Sequence, residues 1–165
     1  MNFTPDIRTK YSLLTRISAD DMSKLKEVFD DAETRRFLPE LYELLDSNGG
    51  LWKFTSSFEQ YAQECEGYLW GIKYNNELVG FVAIMDISDN PALFYAMHPT
   101  YRLQGYMKDA VSVIMDYLGK SKLCCKVSTD VYKNNNASIH ILKQLGFSGY
   151  KEDDDKLYLS KLFVQ

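Results

Sequence analysis

Cysteine is scarce in this chain of 165 residues: only Cys65, Cys124 and Cys125 occur, an odd number in no metal-ligand spacing, which excludes a disulfide scaffold and a thiolate zinc site. The histidines are only His98 and His140, too few to build a metal centre without carboxylates brought from afar. Basic charge is not in excess either. With Lys+Arg 19 against Asp+Glu 23 the net charge is -4, so the phosphate-neutralising footprint of a nucleic-acid binder is missing from the whole-chain balance, which leaves room only for a local basic patch. No window approaches the roughly 18 consecutive apolar residues of a membrane span, and no basic stretch followed by an apolar core opens the chain. Repeats and Pro/Gly/Ser-rich linkers are absent, as are a Lys-Ser or Lys-Thr after a glycine-rich loop and the triple-glycine dinucleotide fingerprint. What is present is 45% hydrophobic and 14% aromatic, enough for one sizeable core. The expectation is a single domain over 1–165 in a reducing, cytoplasmic compartment, without metal, nucleic acid or membrane. Asp153, Asp154 and Asp155 read as an exposed turn, and Cys124 and Cys125 as small hydrophobes on opposite faces of a strand.

Periodicity supplies the element order. Ser12 to Arg16 is strand-like, and Ser18 or Asp20 caps a helix carrying Met22, Leu25, Val28 and Phe29 on one face. Further helices are expected from Pro39 to Leu45, stopped by Asn48, Gly49 and Gly50, and from Ser57 to Cys65. Tyr68, Trp70, Ile72 and Tyr74 then alternate, Asn75 and Asn76 make a turn, and Leu78 to Ile87 completes a hairpin. Ala92 to Met97 is a third strand. It leads through Pro99 into an amphipathic helix with Ala110, Val111, Ile114, Met115 and Leu118 inward, and Leu123 to Val131 follows as a strand. Asn134 to Leu145 is a helix ended by Gly146, and strands Phe147 to Glu152 and Leu157 to Phe163 close the chain. The sum is an α/β (α+β) fold with a mixed, mostly antiparallel central sheet and flanking helices. In the unit from Ala92 to Val131 a right-handed crossover makes the two strands parallel, and their carboxyl end is where such folds place ligands.

At that end the segment Tyr101-Arg102-Leu103-Gln104-Gly105-Tyr106-Met107 enters a helix. It offers unpaired N–H groups, the positive end of a helix dipole and the cation Arg102, a combination suited to an anion. Gly105 lets phosphate oxygens approach bare backbone, and Gln104 adds a neutral donor. A plain turn at a helix start is the competing reading.

His98-Pro99-Thr100-Tyr101-Arg102-Leu103-Gln104-Gly105-Tyr106 resembles the acyl-CoA loop of the GCN5-related N-acetyltransferases (GNAT), in which an Arg or Gln precedes a Gly and then a Gly or Ala. Arg102 and Gly105 match; Met107 stands where the family has the small residue. Asn135-Asn136-Ala137-Ser138 with Leu145-Gly146-Phe147 resembles the family's second signature, in the same order and spacing. Thr34 to Pro39 and the hairpin from Trp70 to Ile84 are similar to the subgroup that acetylates ribosomal-protein N-termini.

The resemblance implies a GNAT fold with splayed parallel strands, Ala92 to Met97 and Leu123 to Val131, between which a pantetheine arm lies. Tyr95, Ala96 and Met97 would line that cleft, with the Met97 N–H near the thioester oxygen. Arg102, Leu103, Gln104, Gly105, Tyr106 and Met107 would hold the pyrophosphate. Asn135 would contact the pantetheine or order its loop, and it equally reads as a helix N-cap. Ser138 is the implied proton donor to the departing thiolate, its other reading being a cap. Where many relatives carry a tyrosine acid this chain has Leu142, and Tyr132 at its strand end is a second candidate. For the base the candidates are Asp86, His98 and Asp130, of which Asp130 is taken. The implied activity is direct acetyl transfer from acetyl-CoA to a primary amine, either a protein N-terminus or a small molecule, in a ternary complex. Two other classes stay open: a non-catalytic acyl-CoA sensor or partner-binding module that keeps the donor cleft, and a small nucleotide-binding protein. The acceptor pocket is expected between Phe37 and Ser57, its ligand unspecified, and the oligomeric state is open between monomer and homodimer.

Overall fold

A computed structural model describes residues 2–45 and 48–163. An eight-stranded sheet in the order β1-β2-β3-β4-β5-β6-β8-β7 forms its centre. The strands are β1 Ile7–Arg8, β2 Leu13–Thr15, β3 Tyr68–Tyr74, β4 Glu77–Met85, β5 Ala92–Met97, β6 Lys126–Tyr132, β7 Ser148–Glu152 and β8 Lys156–Leu162. Every pairing is antiparallel except β5 with β6. The helices are α1 Met22–Asp30, α2 Ala32–Phe37, α3 Pro39–Leu45, α4 Gly50–Gln63, α5 Tyr106–Ser121 and α6 Asn136–Gln144. The mixed sheet with flanking helices is the architecture expected from the period changes.

Alternation along β4 divides the core. Val79, Val82 and Ile84 pack with Ala110, Ile114 and Leu118 of α5 and Leu142 of α6, while Leu78, Phe81 and Ala83 pack with Leu25, Val28 and Phe29 of α1 and Phe58 of α4. Each fully buried Leu, Ile or Phe stabilises the fold by about 1.5–3 kcal/mol relative to exposure, so both faces are firmly clad. Asn75 and Asn76 take φ of 49° and 64°, the left-handed pair that a two-residue hairpin turn demands. Among the described residues no helix is long and apolar enough to cross a membrane.

Three local expectations need correction. The helix placed at Ser57 to Cys65 begins at Gly50, because Gly49 at φ 76° acts as its N-cap; the Gly-Gly pair opens a helix as well as closing one. A side chain at position 50 would meet the Leu45 backbone at 2.7 Å, so the turn between α3 and α4 closes only around glycine. The strand placed from Leu123 begins at Lys126, leaving Cys124 half-buried and Cys125 exposed ahead of it, not on two faces of a strand. Helix α2 was not anticipated; Asp31 caps it by accepting from the Glu33 and Thr34 N–H groups, each at 3.1 Å.

Candidate active site

The site is a failure of sheet pairing. Strands β5 and β6 meet only at Ala92 and Ser128, supported by the Ser128 N–H to Pro91 O bond at 2.8 Å and the Thr129 Oγ1 to Leu93 O bond at 2.9 Å. Beyond that point each follows its outer neighbour: β5 stays with β4 as far as Met97, and β6 stays with β8 as far as Tyr132. A wedge opens between them. The His98 N–H bonds Val79 O at 2.8 Å, which fixes the alternation along β5: Phe94 and Ala96 turn their backbone groups to β4, and Tyr95 and Met97 turn theirs into the wedge. Backbone groups that face a cavity and no paired strand can bond a ligand that stands in for one.

The entrance to α5 roofs the wedge. Gly105, at φ 86°, is its N-cap and supplies no side-chain cap. The first bond of the helix runs from the Asp109 N–H to Gly105 O at 3.1 Å, so the N–H groups of Tyr106, Met107 and Lys108 have no acceptor within it. Nothing lies within 4 Å of where a Cβ on Gly105 would stand. Three donors, a dipole end and open space beside them form an anion seat. Tyr106 is held there by rings: its centroid lies 5.2 Å from that of Tyr74 and 6.3 Å from those of Tyr11 and Tyr101.

A cavity of about 460 Å³ results. Tyr95, Ala96 and Met97 line it from β5; Arg102, Leu103, Gly105, Tyr106 and Met107 from the loop and α5; and Asn135 and Ser138 from the start of α6. Met107 buries its side chain in the core, which leaves its N–H at the roof. Asn135 is the N-cap of α6, its Oδ1 accepting the Ser138 N–H at 3.3 Å. Ser138 is buried, and its Oγ lies 2.5 Å from the Tyr95 hydroxyl. Burial pushes that phenol up to about 12.

Several expected residues are employed differently. Gln104 spends its side-chain amide on Thr100 O at 3.1 Å and does not line the cavity, so it adds no donor beside Gly105. The Arg102 guanidinium is bound to Asp31 at 2.6 Å, Glu33 at 2.8 Å and Thr34 Oγ1 at 3.3 Å; its charge is compensated and the loop is tied to α2. Asp130 is not in the cavity. Its carboxylate pairs with Lys156 Nζ at 2.8 Å on the sheet surface, away from the cavity lining, so it is set aside as the base. Nor do Asp86 and His98 line the cavity: Asp86 is exposed after β4, and His98 Nε2 lies 3.7 Å from Glu27 while its Nδ1 accepts the Thr100 N–H. Leu142 is fully buried in the core.

The cavity also has further walls, of which sequence reasoning had named Phe37 as the start of the acceptor pocket and Thr34 to Pro39 only as a point of resemblance. Glu33, Thr34, Phe37 and Leu38 reach it from α2 and the residue after it, Lys108 from α5, and His140 and Ile141 from α6. Lys108 was legible as a cation in the first turn of a helix whose N–H groups were already singled out. The α2 wall was not, because its position depends on the Arg102 tie across 71 residues of sequence.

A family model described as an acetyltransferase (GNAT) domain matches residues 12–148. No curated protein sequence matches the chain. Among solved structures, RimL, a ribosomal L7/L12 α-N-protein acetyltransferase in complex with coenzyme A, superposes with a TM-score of 0.85 at 13% identity, covering 96% of this chain and 98% of that one. A putative ribosomal-protein-serine acetyltransferase from Vibrio cholerae gives 0.78 at 18% identity, with 98% and 99% covered. The microcin C7 self-immunity acetyltransferase MccE, in complex with acetyl-CoA and AMP, gives 0.74 at 13% identity, with 93% of each chain covered.

Proposed function

The chain belongs to the GNAT acetyltransferase family, and from that premise we propose that it transfers the acetyl group of acetyl-CoA directly to a primary amine in a ternary complex. The observation that carries this reading is the wedge between β5 and β6, with the Tyr95 and Met97 backbone turned into it beneath the unpaired N–H groups of α5. The pyrophosphate sits on the N–H groups of Tyr106, Met107 and Lys108, and Lys108, which has no ion pair among the described residues, supplies a positive charge. The pantetheine arm runs along Tyr95 and Met97 as a strand would. The thioester carbonyl then lies at a backbone N–H, where its developing negative charge is stabilised in a partly dry site. Ser138 protonates the departing thiolate. The amine arrives from the α2 side, past Phe37 and Leu38. An α-amino group, with its pKa of about 8, needs little help to shed its proton, whereas a lysine at about 10.4 needs a base; a protein N-terminus or a small amine of similar basicity fits a cavity without a committed base.

The test is turnover. Incubation with acetyl-CoA and a panel of peptides, polyamines and aminoglycosides, followed by free thiol, gives an amine-dependent rate on this reading. Tight coenzyme binding with no rate across the panel would instead indicate a binding module that has kept only the donor cleft.

A further inference from the structure

Tyr95 and Ser138 lie 43 residues apart in sequence, on β5 and at the start of α6, and their hydroxyl oxygens meet at 2.5 Å inside the cavity. Resting on the acetyl-transfer reading, we propose that Tyr95 acts through Ser138 as the proton reserve of the reaction: the phenol donates to Ser138 Oγ, and the serine O–H is thereby aimed at the coenzyme sulfur.

The direction follows from the two groups. A serine hydroxyl has one proton and two acceptor sites, and a phenol is the stronger acid, so the phenol fills one acceptor site and leaves the serine proton for a third atom. Among the described residues neither hydroxyl has another protein partner, so the serine proton is available to a molecule bound in the cavity. The serine is also fixed in place, since the Asn135 carboxamide bonds the Ser138 N–H and burial leaves its side chain little freedom. The cavity's other ionisable groups are Glu33, Arg102, Tyr101, Tyr106, Lys108 and His140, and no described hydrogen bond joins any of them to the pair. A lone serine hydroxyl is a very weak acid; coupled to a phenol, it hands its proton on and is reprotonated in the same motion.

The step balances as follows. The amine lone pair forms the C–N bond, the C–S bond breaks, and its electron pair stays on sulfur. Ser138 gives its proton to the sulfur, Tyr95 gives its proton to Ser138, and the tyrosinate regains one from solvent, which takes up the proton released by the acylated nitrogen. Tyr95 is thus a positioning residue and Ser138 the catalytic one.

The experiment compares wild type, Tyr95→Phe, Ser138→Ala, the double variant, and enzyme carrying 3,5-difluorotyrosine at position 95, using acetyl-CoA and the best amine of the panel. Expected are a kcat for Tyr95→Phe lowered roughly 10- to 100-fold, up to the lower end of what a positioned proton donor contributes, with the KM for acetyl-CoA held within about twofold. The double variant should be no slower than Ser138→Ala. The difluorotyrosine enzyme should lose kcat on the alkaline side at a lower pH than wild type, since only a protonated phenol can donate. An unchanged kcat in Tyr95→Phe, additive losses in the double variant, or an alkaline limb that ignores fluorination overturns the relay while leaving acetyl transfer intact. Absence of turnover in wild type overturns both. Should Tyr95→Phe lose coenzyme binding in calorimetry, the fluorinated enzyme, nearly unaltered in shape, decides.

Discussion

Arg102, on the loop before α5, and Asp31, at the N-cap of α2, are joined by a 2.6 Å bond from Nη2 to Oδ2, which ties the loop that roofs the wedge to the α2 wall of the cavity. The same Asp31 carboxylate receives the N–H groups of Glu33 and Thr34. Burial alone would raise its pKa, but the Arg102 bond and the two N–H bonds outweigh that and hold it below the usual carboxylate value. Asp31→Asn keeps a competent cap and loses the charge, so the variant is expected to be less stable by about 1–3 kcal/mol at neutral pH.

The pH dependence has a definite sign. A carboxyl whose pKa is depressed by folding stabilises the protein above its unfolded value of about 3.9, and that contribution fades as pH falls through the lower folded value. Urea melts of wild type and Asp31→Asn should therefore differ by a constant amount from pH 7 to about pH 5, and the gap should close only below about pH 4. A gap that grows on acidification would contradict the assignment.

Lys108 is the cavity cation for which no ion pair is described, whereas Arg102 is shared between two carboxylates. Lys108→Ala is expected to raise the Kd for CoA about 3- to 10-fold and flatten its salt dependence, by loss of a partly screened interaction of about 1 kcal/mol with phosphate. Calorimetry at two salt concentrations measures both effects.

Gly105 combines a left-handed backbone with open space at the position of its missing Cβ. Gly105→Val should cost only about 1–2 kcal/mol of stability, from the backbone. The added side chain stands where phosphate oxygens approach the α5 N–H groups, so CoA affinity should fall at least about tenfold. Unchanged affinity in a folded variant would remove this loop from the donor site.

Leu142 occupies the place where the family resemblance put a tyrosine acid, and it is fully buried. Leu142→Tyr should destabilise the fold by about 1–3 kcal/mol through overpacking and raise no rate, because its hydroxyl would enter core and not cleft. Thermal melts and kcat test this together.

Local patterns were the readable part of the sequence. The hairpin turn at Asn75 and Asn76, the apolar face of α5 and the cap at Asn135 each depend on residues close in the chain, and each stands where its pattern put it. The alternation that ran strand to helix to strand likewise located the cleft. What escaped depends on contacts between distant residues. Gly49 and Gly50 are compatible with either a stop or a start, and packing against the Leu45 backbone decides between them. Arg102 looked like a free cation until α2 brought Asp31 and Glu33 to it, and Asp130 looked like a base until β8 brought Lys156. The meeting of Tyr95 and Ser138 belongs to the same class, since no spacing rule links a strand residue to a helix across the wedge.

Determining the structure with CoA bound tests the account most directly. It predicts the pyrophosphate on the Tyr106, Met107 and Lys108 N–H groups, the pantetheine arm paired to Tyr95 and Met97, and the sulfur beside Ser138 Oγ. A complex in which β5 and β6 have closed on each other, or in which the coenzyme lies outside the wedge, would contradict it.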